Sequence, residues 1–192
     1  MWVRGTCTLR FSSVCILVGE LILAFAFAQT EAADKIGTEQ MQLTSSAFDE
    51  GTPIPAKYTC DEKNLSPPLK WSGVPAEAKS LALIADDPDA PSGTWVHWVV
   101  YDLPASLSEL PEDTVKGQRL PGGGMQGMND FKHLGYGGPC PPPGTPHRYF
   151  FKLYALDTML DLKPGVTKKD LEHAINKHIL AQGQLMGTYK RK

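Results

Sequence analysis

The sequence predicts one mainly β domain with a single short helix near its C-terminus. Turn formers recur at short intervals: Gly51-Thr52-Pro53, Ser66-Pro67-Pro68, Gly73-Val74-Pro75, Asp87-Pro88-Asp89, Pro91-Ser92-Gly93 and the run from Gly122 to Gly124. That spacing leaves no room for long helices in the first three-quarters of the chain. Between the turns lie short runs rich in aliphatic and aromatic residues, and helical spacing of apolar residues appears only after Thr167. At 192 residues the chain suits one domain with its own core.

The first 28 residues read as a signal peptide. Arg4 and Arg10 form a positive n-region, an apolar stretch from Phe11 to Ala28 follows, and Ala26-Phe27-Ala28 is a small-x-small cleavage pattern. The alternative is an uncleaved anchor; Glu20 inside the run, costly in hydrocarbon, weakens both readings, and the small residues at its end favour cleavage. Residues 29–40 are polar and read as a flexible leader, and 41–192 as the folded domain. No later stretch approaches the ~20 apolar residues of a spanning helix. The expected product is an exported protein, periplasmic or secreted, with no stable membrane insertion after cleavage.

Within the domain, Met41 to Ser45 alternates and opens the first sheet. Ser80 to Ala85 is a near-continuous apolar run, as in a strand buried on both faces. Trp95 to Tyr101 and Arg148 to Leu156 carry the residue types that suit a pleated surface. The glycine- and proline-rich stretch 118–146 reads as a long functional loop. Thr167 with Asp170 three positions on forms an N-cap; Leu171, Ala174, Ile175, His178 and Ile179 continue at helical spacing, and Gly183 reads as the stop.

Charge argues against nucleic acid as a partner: the net charge is −2, from 19 basic and 21 acidic residues, with no basic stripe. Once the signal leaves with Cys7 and Cys15, Cys60 and Cys140 remain. In an exported chain they read as one disulfide, with two buried free thiols as the alternative.

Strand alternation places Trp95, His97, Val99 and Tyr101 on one face, and His147, Tyr149, Phe151 and Leu153 on one face of the other strand. Each strand thus offers a histidine beside an aromatic at its start. The stiff acidic turn Asp87-Pro88-Asp89 leaves the buried strand just upstream, and proline can hold its carboxylate in place.

These segments resemble the signatures of the phosphatidylethanolamine-binding (Raf kinase inhibitor-like) family. Asp87-Pro88-Asp89-Ala90-Pro91 followed by Trp95-Val96-His97-Trp98-Val99-Val100 is similar to the first signature. Gly137-Gly138-Pro139-Cys140-Pro141-Pro142, Gly144 and His147-Arg148-Tyr149 are similar to the second. Tyr58-Thr59-Cys60-Asp61, Asn64 to Leu69 with Trp71, and Leu185-Met186-Gly187-Thr188-Tyr189 resemble the bacterial and archaeal branch. The resemblance covers 41–191. It implies a two-sheet antiparallel Greek-key sandwich with few helices and a pocket at one end. It places Asp87, Trp95, His97, Gly138, Pro139, His147 and Tyr149 on the ligand site. Tyr136 stands where animal members have glycine, implying a narrower rim, and their longer connection before Trp95 is absent, which argues against kinase regulation.

The expected ligand is a small anion, a phosphate ester or phospholipid headgroup, bound without a cofactor or metal and without catalysis. Asp87 beside a histidine would raise its pKa and favour a cation. That cation, the Tyr149 hydroxyl and the backbone amides of Gly137 and Gly138 would hold the anion. Trp95 would wall the pocket, and Arg148, on the opposite face, would pair with Asp89. Three other readings stand beside this one. A metal-dependent enzyme would use the histidines and Asp87, although no H-E-x-x-H spacing occurs. A nucleophilic hydrolase would use Ser92, although no G-x-S-x-G elbow occurs. The third is a protease or kinase inhibitor acting through its surface.

Overall fold

The structure, a computed structural model, describes residues 39–191; the expected signal peptide and leader up to residue 38 lie outside them. Nine strands form two sheets: β1 (Glu39–Gln40), β2 (Gln42–Thr44), β3 (Leu69–Ser72), β4 (Ser80–Asp87), β5 (Trp95–Pro104), β6 (Glu109–Leu110), β7 (Met125–Gln126), β8 (His147–Leu156) and β9 (Ile179–Tyr189). The larger sheet runs β1-β9-β8-β4-β5-β7 and the smaller β2-β3-β6. All pairings are antiparallel except β1 with β9. Because β8 lies on the far side of β4 from β5, the chain crosses over between them, as Greek-key connections require.

The core lies between the sheets. Leu81, Leu83 and Ala85 of β4, Trp98 and Val100 of β5, and Phe151 and Leu153 of β8 pack against Leu43, Leu69 and Trp71 of the small sheet. On the outer face Ala82, Ile84, Val99 and Tyr101 meet Leu171 and Ile175 of helix α1 (Lys168–Ile175). Every residue of β4 is therefore buried, as its unbroken apolar run predicts.

The chain enters by switching sheets. Glu39 and Gln40 pair with β9, the Met41 amide bonds Gln182 O, and Gln42 to Thr44 pair with β3. Glu39 and Gln40, expected to belong to the leader, are thus part of a sheet. Helix α1 starts as expected, with Thr167 and Asp170 forming a reciprocal capping box. It ends earlier than expected, at Ile175; Lys177 then takes a left-handed φ of 73° and the chain turns into β9. Ile179 and Gly183 therefore belong to a strand. From Ala181 to Gly187 every second residue is buried, a period of two that the preceding helical pattern masks.

Gly183 lies where the chain crosses the sheet: a Cβ there would sit 2.6 Å from Met41 O and 3.2 Å from Met41 Cβ. Replacing Gly183 with valine forces the Met41 backbone away. Chemical denaturation should show a loss of about 1–3 kcal/mol, whereas an exposed neighbour, Gln184→Val, should change stability little.

Candidate functional site

Antiparallel pairing brings the end of β4 to the starts of β5 and β8, with Asp87 opposite Trp95 and Asp86 opposite Phe150. At that end of the sandwich a cavity of about 290 Å³ opens. Asp87, Trp95, His97 and His147 line it, joined by Phe131, Ser92 and the disulfide-bonded Cys140. Two larger hollows, of about 390 and 420 Å³, lie along β9 and are lined mainly by glutamines and strand residues.

The two aspartates closing β4 point to opposite faces. Asp86, 1% exposed, faces outward and accepts from Lys152 Nζ (2.9 Å) and Lys168 Nζ (2.5 Å), tying α1 and β8 to the strand. Asp87, 3% exposed, faces the cavity. Its Oδ2 accepts from His147 Nδ1 at 2.8 Å and its Oδ1 from the Asp89 amide at 2.8 Å. Arg148 closes the turn a second time: its Nε and Nη2 donate to Asp89 at 2.9 and 2.7 Å, and its amide bonds the same carboxylate. Hydrogen bonds from Arg148 bring the Asp89 pKa down from 3.8 to about 2.

His97 reaches the cavity through a β-bulge. Ala85 pairs with Trp98 and Asp86 with Val96, so β5 has one extra residue, His97, at this point. Strict alternation therefore fails here. Trp98 and Val100 join the inner core while Val99 and Tyr101 face outward, so the expected shared face of His97, Val99 and Tyr101 does not exist. The same shift lets His97 meet Tyr149 edge to face, with ring centroids 5.2 Å apart.

His97 Nδ1 lies 2.6 Å from Gly137 O, and the Gly137 amide donates back to His97 O at 2.9 Å. A carbonyl oxygen only accepts, so Nδ1 carries the hydrogen. Burial pushes the His97 pKa below its ordinary value, against the raising effect of the Gly137 carbonyl and of Asp87. Of the two histidines expected to supply a cation, His97 is therefore the less suited, because desolvation outweighs the nearby carboxylate.

Tyr149 is 2% exposed, and among the described residues its hydroxyl is the buried side-chain polar atom without a hydrogen-bond partner. Burial first, and then the negative charge of Asp87, raise its pKa far above the ordinary phenol range, so it is a proton donor at neutral pH.

The glycine cradle also differs from expectation. The Gly137 amide is taken by His97 O, and the Gly138 amide donates to Asn64 Oδ1 at 2.7 Å. Pro139 O accepts from the Cys60 amide. These three residues lock the 137–142 segment to the 58–64 segment and do not offer amides to the cavity. Gly138 is required because a Cβ there would strike Tyr58 O. Cys140, Pro141 and Pro142 form the wall instead. Tyr136 does not narrow the rim: it is 1% exposed, packs against Trp98 and donates to Tyr58 O at 2.8 Å.

Sequence reasoning missed Phe131. Its ring packs edge to face against both Trp95 (5.5 Å) and His97 (5.4 Å), and Gly137 leaves the room it fills. Asp130 holds the loop by bonding the Val96 amide and Val96 O. The available signal was an aromatic residue within an otherwise glycine-rich loop. Among the described residues no group of three or more His, Cys, Asp or Glu side chains is placed to hold a metal ion.

This fold and this cavity define a two-sheet β-sandwich protein with a histidine- and aspartate-lined pocket at one end. The phosphatidylethanolamine-binding protein family model matches residues 44–190, and the chain belongs to that family. A UPF0098 protein of Methanothermobacter thermautotrophicus is 55% identical over 151 residues, covering 79% of this chain and 99% of its own. One from Aquifex aeolicus is 48% identical, covering 91% and 99%. Among solved structures, the phosphatidylethanolamine-binding protein homologue CT736 of Chlamydia trachomatis superposes with a TM-score of 0.72 at 47% identity. Escherichia coli YbcL, a member of the mammalian family, gives 0.75 at 36%. In both cases the match covers 80% of this chain and 99% of the other.

Two expectations concern stability. The Asp89 pKa is lowered on folding, so its pairing with Arg148 contributes above the unfolded value of 3.8 and is lost as pH falls toward about 2. Arg148→Leu should flatten the acid limb of a stability–pH curve in that window and leave the neutral region less affected. The Cys60–Cys140 bridge spans 80 residues, and closing a loop of that size contributes on the order of 4 kcal/mol. Reduction should lower the denaturation midpoint accordingly.

Proposed function

We propose that this chain is an exported small-ligand-binding protein whose pocket takes a phosphate or phosphate-ester group, and that it acts by binding, not by turnover. The observation that carries this reading is the Asp87–His147 pair at the cavity wall, with the Tyr149 hydroxyl buried beside Asp87 and His97 in no well-formed hydrogen bond. An unpaired buried hydroxyl costs about 1–3 kcal/mol, a cost that a ligand oxygen removes. His147 supports it: Nδ1 is held by Asp87, so protonation adds a second donor at Nε2. Trp95 and Phe131 supply an apolar corner for the rest of the ligand.

Export is supported by the Cys60–Cys140 disulfide, a bond typical of oxidising compartments. No helix among the described residues is long and apolar enough to cross a membrane. The engagement of the Gly137 and Gly138 amides supports binding over hydrolysis, because they are not free to stabilise an oxyanion next to Ser92.

Isothermal calorimetry with inorganic phosphate and O-phosphoethanolamine tests the reading. Tyr149→Phe should weaken binding about five- to tenfold, a hydrogen bond's worth, while its melting temperature holds or rises. His147→Ala should abolish binding with the fold retained. Equal affinity in all three proteins would overturn the proposal.

A further inference from the structure

One wall of the cavity is held differently from the rest. Cys140, Pro141 and Pro142 form it, and from Cys140 to Pro146 no hydrogen bond joins the segment to any other described residue. Four of those seven residues are prolines, which carry no amide hydrogen to donate. Main-chain bonding resumes only at His147, opposite Tyr189. Upstream, Pro139 O accepts from the Cys60 amide at 3.1 Å and the Gly138 amide donates to Asn64. Pro141 is buried and Pro142 exposed, so this wall is held by side-chain contact and by the Cys60–Cys140 bridge at its start. The opposite walls are fixed by strand ladders at Asp87, Trp95 and His147.

The two sulfurs of the bridge sit in different surroundings. Cys140 is exposed and lines the cavity, whereas Cys60 is half-buried. Asp61 Oδ1 lies 4.0 Å from Cys60 Sγ, so a thiolate approaching that sulfur meets a carboxylate. Arg191 Nε and the Tyr189 hydroxyl donate to the same carboxylate at 2.9 and 2.6 Å and keep it in place. On the other side the acid that lines the cavity, Asp87, is already engaged by His147. Thiol–disulfide exchange depends on which sulfur an attacking thiolate can reach, and exposed bridges are the ones open to it.

We propose that Cys140 is a thiol-exchange site for an external dithiol, and that opening the bridge there releases this wall of the cavity. The first thiolate of the dithiol bonds Cys140 Sγ as the Cys60–Cys140 bond breaks, and Cys60 leaves as a thiolate that takes up a proton. The second thiol then attacks the mixed disulfide, Cys140 leaves and is protonated, and the dithiol ends as its own disulfide. Two electrons and two protons pass to the cysteine pair. Between the 137–142 and 58–64 segments there then remain the hydrogen bonds at Pro139 O and the Gly138 amide, and the chain from Cys140 to His147 has no bonded tether. The inference concerns the wall and not the ligand, so it stands apart from the phosphate reading.

Brief exposure of the native protein to reduced glutathione, followed by excess iodoacetamide and peptide mapping by mass spectrometry, tests the site. Glutathione should be found on Cys140 and the iodoacetamide cap on Cys60. Glutathione mainly on Cys60, or no exchange until denaturant unfolds the sheets, would overturn the inference. The wall is read through Trp95, which lines the cavity while Trp71 and Trp98 are buried. Reduction with dithiothreitol should raise acrylamide quenching of tryptophan fluorescence, with circular dichroism reporting that the sheets are retained, and Trp95→Phe should remove the rise. The double variant Cys60→Ser with Cys140→Ser should show the raised quenching without any reductant. Unchanged quenching in both the reduced and the double-serine protein, or loss of the sheets on reduction in native buffer, would equally overturn it. Calorimetry with inorganic phosphate decides the ligand reading separately, whichever way these results fall.

Discussion

Strand β4 is the member on which the rest of the architecture depends. It is hydrogen-bonded along both edges, to β5 and β8, and buried on both faces. Its last two residues are aspartates, and the pleat sends them to opposite sides. Asp86 receives two lysine ammonium groups and anchors α1 and β8, while Asp87 is delivered to the cavity and holds His147. A buried carboxylate left without such partners would cost several kcal/mol. The end of β4 is therefore satisfied on both faces, and the position of Asp87 is determined by main-chain ladders and not by a mobile loop.

The cavity is built by tying each polar group from behind. Asp87 holds one imidazole and the Gly137 carbonyl the other, which fixes both tautomers. Arg148 and Asp89 staple the acidic turn to the start of β8, and the disulfide with the Gly138–Asn64 bond staples the proline wall to the 58–64 segment. Such second-layer bonding leaves few groups free to face a ligand. Those lining the cavity are chemically distinct: an imidazole held by a carboxylate, a buried imidazole held by a main-chain carbonyl, and an aromatic corner of Trp95 and Phe131.

Much of this was legible along the chain. Strands β4, β5 and β8 were marked by apolar and aromatic runs bounded by turns, and the helix start by its capping pair. Strand β9 was not, because the apolar period of α1 runs into it without a break and the turn at Lys177 carries no glycine. Its glycines read as a helix stop and a tail motif, although they are absent side chains that make room for Met41, Ile54 and Phe48. For the site, Asp87, His97 and His147 were visible from two motifs, while strand alternation misassigned the face of Val99 and Tyr101. Phe131 and the proline wall were hidden in a loop with no periodicity to read.

What the sequence determined on its own was the supply of groups and the order of the strands: residue type sets strand propensity, proline sets turn stiffness, and an aspartate beside a strand end is chemically available wherever the strand leads. What only the tertiary structure decided was how those groups are used. One bulged residue in β5 reversed the faces of the side chains after His97, and burial pushed the His97 pKa down. Long-range main-chain bonds consumed the glycine amides. Each outcome depends on neighbours distant in sequence, because burial and hydrogen-bond competition are properties of the packed space and not of the chain.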